Sequence, residues 1–168
     1  METVLSLTVD DNASKALLLA KTFFLPPPPL PPQDPTHQLD DYPDPLPDPL
    51  PITANQIKSH IANLPPFKAH GLDGIPNIVL KECSELLTTP LTTIFKAILE
   101  YNTYYDPWNV SITVVLRKPG KPSYEIPKAY HPIALLSTLA KLLTAIIAEN
   151  LSNLVEQHQL LPMNHFRG

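Results

Sequence analysis

The feature that most constrains the fold is a block of prolines in the first third of the chain. Of the 22 prolines in 168 residues, 12 lie between Pro26 and Pro51. Each proline removes a backbone N–H donor and disfavours the helical conformation in the residue before it. The block therefore cannot form a continuous helix or a central strand. We expect a short peripheral helix within 1–25, a disordered Pro-rich linker at 26–51 and a folded part at 52–168.

The same prolines suggest a ligand for another protein. A run of four prolines favours the polyproline II helix, whose backbone is extended and fully solvated. Such segments bind the aromatic grooves of WW and SH3 domains, and the residues that fit this pattern are Pro28, Pro29, Leu30 and Pro31. A stiff linker without a partner explains the same residues, so both interpretations stay open.

The net charge of -4 conceals a segregation of charge along the chain. Residues 1–60 contain eight acids and three lysines, whereas residues 61–168 contain eight acids and nine lysines and arginines. Between Trp108 and His131 one acid, Glu125, accompanies four cations, which are Arg117, Lys118, Lys121 and Lys128. A local strip of positive charge can attract phosphates even when the whole protein is acidic.

Cofactor and membrane signals are weak in this sequence. Cys83 is the single cysteine, so a disulfide framework and a cysteine-based zinc site are not expected. The six histidines are scattered, and we predict no metal site. The apolar run Ala16–Leu25 is interrupted by Lys21 and is too short to span a bilayer. We expect no membrane partner and an intracellular protein, cytoplasmic or nuclear.

Two helices are expected before residue 65. Asn12–Phe24 suits a short helix capped by Asn12 or Ser14. Thr53 and Gln56 have the spacing of a capping box, and the helix that follows has one apolar stripe at helical spacing. The stripe consists of Ile57, Ile61 and Leu64.

The middle of the chain predicts a glycine-containing loop and two further helices. The loop Lys68–Asn77 contains two glycines that can adopt positive φ. A helix is expected from Pro76 to about Leu87, and another is expected to begin at Pro90 because proline suits the first helical turn. The second helix should bury a broad apolar face, which consists of Leu91, Ile94, Phe95, Ile98 and Leu99.

The last third predicts a small hairpin followed by a long helix. Val110–Leu116 contains the β-branched residues Val110, Ile112, Val114 and Val115. It is expected to form a strand that is buried on at least one face. A second extended piece is expected through Ile126 and Pro127 to Ile133, and a helix capped by Ser137 or Thr138 should reach about His158. The fold class is therefore α+β and mainly helical, with a small β-hairpin.

Between the two extended pieces lies Arg117–Pro122, which we call the basic turn. Its arginine can hold a phosphate through two parallel hydrogen bonds, and its lysines, Lys118 and Lys121, can act as point charges. Basic turns also occur for solubility, so charge alone leaves that alternative open.

The order of several sequence words is more specific. LPPFKAHGLDGIPN, then W-x-x-S-x-x-V-V-L-x-K-P-G-K, then Y-x-x-P-K-A-Y-x-P-I-A-L-L, then K-L-L and H-Q-L-L-P follow one another. Together they resemble the reverse transcriptases of non-LTR (LINE-type) retrotransposons, with the closest likeness to elements of fungal type. The resemblance covers about Ala13 to Gly168. It implies the fingers and the palm edge of a right-hand polymerase.

The resemblance also implies roles for individual residues. It implies that Lys118 and Lys121 contact the phosphates of the incoming nucleotide or the template, with Arg117, Lys128 and His131 as further candidates. The family's Tyr-Arg-Pro-Ile appears here with His131 in place of arginine. An imidazole has no donor fork and only partial charge near neutral pH, which weakens this site.

Polymerisation is not expected of this chain. Nucleotidyl transfer uses clustered carboxylates that hold two divalent ions, which are magnesium in the intact family, and no Asp follows Asp106 here. We therefore expect a truncated or decayed fragment with no catalytic residue or cofactor and at most weak binding of RNA template or nucleotide. The alternatives are an interaction protein that presents Pro26–Pro32 and a fragment without function.

Overall fold

A computed structural model describes residues 11–29 and 51–160. These residues form five α-helices, two strands and two short 3-10 turns, which confirms a mainly helical fold with a small sheet. In chain order the elements are α1 Asn12–Phe23, α2 Ala54–Asn63, α3 Asn77–Glu82, α4 Ser84–Glu100, a 3-10 turn Asp106–Asn109, β1 Ile112–Arg117, a 3-10 turn Pro127–Ala129, β2 Tyr130–Leu135 and α5 Thr138–Gln157.

The described residues fall into two compact units. The first contains α1 together with residues 113–133, and the second contains residues 51–112 together with residues 134–160. The boundaries expected at 25 and 51 remain a prediction, because most of the Pro-rich linker lies outside the described residues. In the described part of the chain, no helix combines the length and the apolar character needed to cross a membrane.

Helix α1 is capped one residue earlier than expected. The carboxylate of Asp11 accepts a hydrogen bond from the Ser14 backbone N–H at 2.8 Å, so the predicted caps Asn12 and Ser14 are wrong. An Asp at this position satisfies one of the donors that the first helical turn leaves without a partner. Hydrogen bonds from Ser14 hold the pKa of Asp11 below its ordinary value.

Helix α2 begins as the sequence predicts. Thr53 Oγ1 accepts from the Gln56 backbone N–H at 3.2 Å, and Gln56 Oε1 accepts from the Thr53 N–H at 3.1 Å. Ile57 and Ile61 are buried and Leu64 is half-buried, which confirms the stripe. They join the core of the second unit, which otherwise consists of Ile52, Leu80, Leu91, Phe95, Trp108, Ala140, Leu142, Leu143 and Ile146.

The break between α3 and α4 differs from the prediction. One helix ends at Glu82, Cys83 leaves helical geometry (φ -97°, ψ 13°), and the next helix begins at Ser84. Pro90 therefore lies inside α4 and does not begin a helix. A proline there deprives the Leu86 carbonyl of its helical donor, but Leu86 is 79% exposed, so water can reach that carbonyl.

The apolar face of α4 is narrower than predicted. Leu91 and Phe95 are buried, and Ile98 is half-buried against the core. Ile94 and Leu99 are exposed, with 47% and 44% of their surface accessible. The helix repeats every 3.6 residues, so a face defined by five apolar residues is broader than the strip that packs against α2.

The loop before α3 joins the beginning of α5 through one carboxylate. Asp73 Oδ2 accepts hydrogen bonds from Ser137 Oγ at 2.6 Å and from the Thr138 backbone N–H at 2.8 Å. Thr138 Oγ1 donates to the Ile75 carbonyl at 2.7 Å. Ser137 is the N-cap residue, as predicted, but its side chain does not accept a hydrogen bond from the first turn. The acceptor is the Asp73 carboxylate, from 64 residues away.

The two glycines of this loop act in different ways. Gly74 adopts positive φ (64°), as expected, whereas Gly71 does not. A Cβ on Gly71 would overlap the backbone of Leu136 and Ser137. Gly71 is required by the close approach of two backbones and not by its own conformation.

Strand β1 is less buried than predicted. Ile112, Val114 and Leu116 alternate along one face and remain 39%, 36% and 48% exposed, while Val115 is half-buried on the other. The sheet has two strands, and the described residues cover neither face of β1 completely. The expectation of a strand buried on at least one face is therefore wrong.

Candidate nucleic-acid interface

The basic turn forms the first part of the loop that connects β1 to β2. The Lys118 backbone N–H donates to the Ala129 carbonyl at 2.8 Å, which closes the segment between them. Gly120 in this loop has φ 74°, a conformation that residues with a Cβ rarely adopt. The segment is thus a loop closed by this hydrogen bond, and Arg117, Lys118 and Lys121 lie in its first part.

Two tyrosines stabilise this loop through hydrogen bonds to its backbone carbonyls. Tyr124 donates its phenol hydrogen to the Lys118 carbonyl at 2.8 Å, and Tyr130 donates to the Tyr124 carbonyl at 2.9 Å. Their rings meet edge to face with centroids 6.1 Å apart. The Arg117 guanidinium lies 5.1 Å from the centre of the Tyr124 ring, a distance at which cation–π attraction orients the group.

Three cations of the turn have no counter-ion among the described residues. The side chains of Arg117, Lys118 and Lys121 are exposed, and none of the three forms an ion pair with a described residue. Uncompensated like charges on one short loop repel each other. An anion that binds between them relieves this repulsion.

The other two predicted site residues lie on the second side of the loop. Lys128 directly precedes Ala129, the residue that pairs with Lys118, and its side chain is exposed. His131 is the second residue of β2 and is exposed. The structure thus brings Arg117, Lys118 and Lys121 onto one turn and Lys128 next to its closing pair. Contact of these side chains with phosphate remains a prediction.

The two-metal chemistry of polymerases has no site in the described part of the chain. Within residues 11–29 and 51–160, no three side chains of His, Cys, Asp or Glu converge in a way that could hold a metal ion. The described residues therefore do not fit a divalent pair.

The predicted polyproline ligand is described in part. Pro28 and Pro29 are exposed and belong to no helix or strand. Leu30 and Pro31 lie outside the described residues. The peptide-ligand hypothesis stays a prediction.

One aromatic cluster of the second unit is not among the features predicted from the sequence. Trp108 is buried and contacts Phe95, Tyr104 and Tyr105 edge to face, with ring centroids 5.6–6.2 Å apart. The segment Tyr101–Pro107, a polar and aromatic connection by its residue types, contributes Tyr104 and Tyr105 to this cluster. Its density of aromatic residues was the available signal, because four aromatic side chains within eight residues exceed what a solvated connection needs.

Comparison with known proteins gives the chain a family. No protein-family model matches it. It is 34% identical over 116 residues to a probable RNA-directed DNA polymerase from transposon BS of Drosophila melanogaster, which covers 69% of this chain and 13% of that relative. It is 32% identical over 99 residues to the corresponding protein of transposon X-element from the same organism, covering 59% of this chain and 11% of the relative.

A third relative is the RNA-directed DNA polymerase from mobile element jockey of Drosophila melanogaster. It is 25% identical over 115 residues, which cover 68% of this chain and 12% of that relative. These relatives confirm the non-LTR resemblance, while the likeness to elements of fungal type stays a prediction. The chain spans between 11% and 13% of the length of the curated relatives it matches. Over about 60–70% of its length, the chain is therefore a homologue of the RNA-directed DNA polymerases of non-LTR transposons and represents a fragment of them.

Proposed function

We propose that this chain supplies phosphate contacts of a retrotransposon RNA-directed DNA polymerase through its basic turn. The observation that carries the proposal is the set of three exposed cations, Arg117, Lys118 and Lys121, without a counter-ion in the described part of the chain. The names of the relatives point to nucleic acid as the partner. In this proposal the hairpin belongs to the fingers, and the helices belong to the fingers and the palm edge.

The fixed conformation of the basic turn supports a role in phosphate binding rather than a general role in solubility. A surface charge needed only for solubility requires no fixed position, whereas Lys118 is held through its N–H and its carbonyl. Arg117 is oriented by the Tyr124 ring. Fixing the backbone and the guanidinium in advance lowers the entropy cost of binding a phosphate oxygen.

We further propose that this chain by itself binds RNA weakly and does not polymerise DNA. The chain has no Asp after Asp106, and the transfer reaction uses carboxylates to hold two divalent ions. The expected result is no extension of a DNA primer on an RNA template with Mg²⁺ or Mn²⁺. Incorporation above a control without protein would contradict this part of the proposal.

The binding experiment measures the affinity for a single-stranded RNA of 20 nucleotides by fluorescence anisotropy at several salt concentrations. If three cations contact phosphates, the logarithm of the association constant should fall with the logarithm of salt concentration with a slope of about -2. The double variant Lys118→Ala/Lys121→Ala should reduce the magnitude of the slope to about 0.7. The affinity at low salt should fall with it.

A matched control removes two cations elsewhere. Lys68 and Lys96 are exposed and lie in the second unit, so Lys68→Ala/Lys96→Ala changes the net charge equally. This control should retain the slope of the unmodified chain. If both double variants weaken binding equally, net charge and not the basic turn attracts the RNA, and the proposal is wrong.

A second candidate function is presentation of a proline ligand. The observation that favours it is the exposure of Pro26–Pro29 without helix or strand. The test is titration of a panel of WW and SH3 domains with the peptide Leu25–Gln33. Absence of binding across the panel removes this candidate and leaves the RNA proposal unaffected. An intracellular setting remains part of either proposal.

A further inference from the structure

The second unit has a groove lined by aromatic and aliphatic side chains. Its volume is about 710 Å³, within the range of about 300–1,000 Å³ that is usual for ligand sites. The groove follows the last turns of α4 and the connection after them. We call it the aromatic groove, and the residues that define it are Ile94, Ile98, Tyr101, Tyr104, Tyr105 and Trp108.

The groove has a fixed floor and open walls. Trp108 is 9% exposed and contacts the core residue Phe95 at 6.2 Å between ring centroids. Tyr104 and Tyr105 stand nearly perpendicular to the indole, at interplanar angles of 72° and 87°. Tyr101 and Tyr105 remain 71% and 57% exposed. Such walls offer apolar ring surface at a small entropy cost, because tyrosine has few rotatable bonds.

The indole N–H and the phenol groups that line the groove can donate hydrogen bonds to a ligand. No described residue accepts a hydrogen bond from the Trp108 indole N–H or from the phenols of Tyr101, Tyr104 and Tyr105. No buried side-chain nitrogen or oxygen lacks a partner among the described residues, so the indole N–H is open to solvent and can donate to a carbonyl of a ligand. The lining contains one acid, Asp106, and no lysine or arginine.

We propose that the aromatic groove binds a proline-rich segment in the polyproline II conformation with an adjacent basic residue. Proline rings present apolar surface to aromatic side chains. Polyproline II carbonyls are not used within the helix, so they can accept from the phenols and the indole. Prolines have no N–H, so burying them leaves no donor without a partner. Asp106 then pairs with the basic residue.

The charge of the groove favours this occupant over RNA. Single-stranded RNA also stacks its bases on aromatic rings, but its binding sites combine those rings with cations that track the phosphates. The aromatic groove is lined by no cation and by one carboxylate, that of Asp106. This proposal stands independently of RNA binding by the basic turn, which belongs to the first unit.

The test uses the intrinsic fluorescence of the full chain, because Trp108 is its single tryptophan. The first ligand is a peptide with the sequence of Leu25–Pro32 followed by an arginine. The second ends in glutamate, and the third ends in arginine but has alanine at every proline. We expect saturable binding of the first with a Kd below about 1 mM. The glutamate peptide should bind at least fivefold more weakly, and the alanine peptide should not saturate.

Three substitutions test whether the peptide binds in the groove or elsewhere on the surface. Tyr105→Ala should lower the affinity for the arginine peptide about tenfold, as expected for an aromatic anchor. Asp106→Asn, which preserves shape, should abolish the difference between the arginine and glutamate peptides. Phe67→Ala removes an aromatic ring that is 88% exposed outside the groove and should leave binding unchanged.

Three results would overturn the proposal. One is the absence of any fluorescence change with the arginine peptide, and another is equal affinity for the alanine peptide. The third is saturation by a ten-nucleotide oligouridylate while the peptides have no effect, which would make the groove a base-stacking surface. In the Asp106→Asn variant, retention of the full preference for arginine would exclude Asp106 as the pairing group.

Discussion

Removing the Asp73 carboxylate should loosen the beginning of α5. Asp73 Oδ2 accepts from Ser137 Oγ at 2.6 Å and from the Thr138 N–H at 2.8 Å, and its other oxygen accepts from the Ile75 N–H at 3.3 Å. Asp73→Ala removes all three acceptor contacts. Asp73→Asn preserves the shape and one acceptor oxygen but removes the charge.

The expected loss follows from the burial of the donors. Ser137 and Thr138 are 4% and 1% exposed, so water cannot readily replace the carboxylate. Loss of a helix cap costs about 1 kcal/mol, and a buried donor left without a partner adds about 1–3 kcal/mol. We expect Asp73→Ala to lower the free energy of unfolding by about 2–4 kcal/mol. Asp73→Asn should cost about 1 kcal/mol, the value of a charge at a helix N-terminus.

The pH dependence gives a second test of the same carboxylate. Desolvation raises the pKa of Asp73, but hydrogen bonds from Ser137, Thr138 and Ile75 and the charge of His70 outweigh it and hold the pKa below 3.8. A pKa lowered by folding stabilises the folded state above the unfolded pKa and loses that contribution as pH falls through the folded pKa. The difference between the unmodified chain and Asp73→Asn should therefore be full at pH 7 and shrink below about pH 4.

Urea unfolding followed by Trp108 fluorescence measures both effects, since Trp108 and Asp73 belong to the same unit. Glu125→Gln is the control, because it removes an exposed carboxylate that accepts no hydrogen bond from a described residue. It should change the midpoint little. If Asp73→Asn destabilises equally at pH 3 and pH 7, the ionised carboxylate is not the cause and the reasoning fails.

Three further substitutions test local features of the second unit. Gly71→Ala places a Cβ 2.5 Å from the Ser137 nitrogen and should cost about 3 kcal/mol or more because neither backbone can move cheaply. Gly74→Ala, with φ 64° and no atom within 4 Å, should cost about 1–2 kcal/mol in urea unfolding; a larger loss at Gly74 would contradict the packing role of Gly71. Thr53→Ala removes the cap of α2 and should cost about 1 kcal/mol, and an unchanged urea midpoint would show that the capping box does not stabilise the helix.

Local features of the fold could be predicted from the sequence. The capping box of Thr53 and Gln56 and the stripe of α2 depend on residues within one or two helical turns. The first strand of the hairpin could be predicted from its β-branched residues, among them Ile112, Val114 and Val115. The basic turn and its charges could also be predicted, because charge is read directly from residue type.

Other features depend on distant residues. The cap of α5 comes from Asp73, and no local pattern near Ser137 indicates it. The exposure of Ile94 depends on how far α2 covers α4, and the exposure of β1 depends on how many strands the sheet has. Periodicity shows which residues share a face, but it does not show whether another element covers that face.

The words that carry the family resemblance have a structural role as well as a chemical one. Within HGLDGIPN, Gly71 allows contact with the backbone of Leu136 and Ser137, and Asp73 caps the helix that begins there. Leu136 is the last residue of the word Y-x-x-P-K-A-Y-x-P-I-A-L-L, and Ser137 directly follows it. Two separate words of the resemblance are therefore the two sides of one contact. A chain can retain both words because its fold requires them, so their presence supports a shared fold more directly than a shared activity.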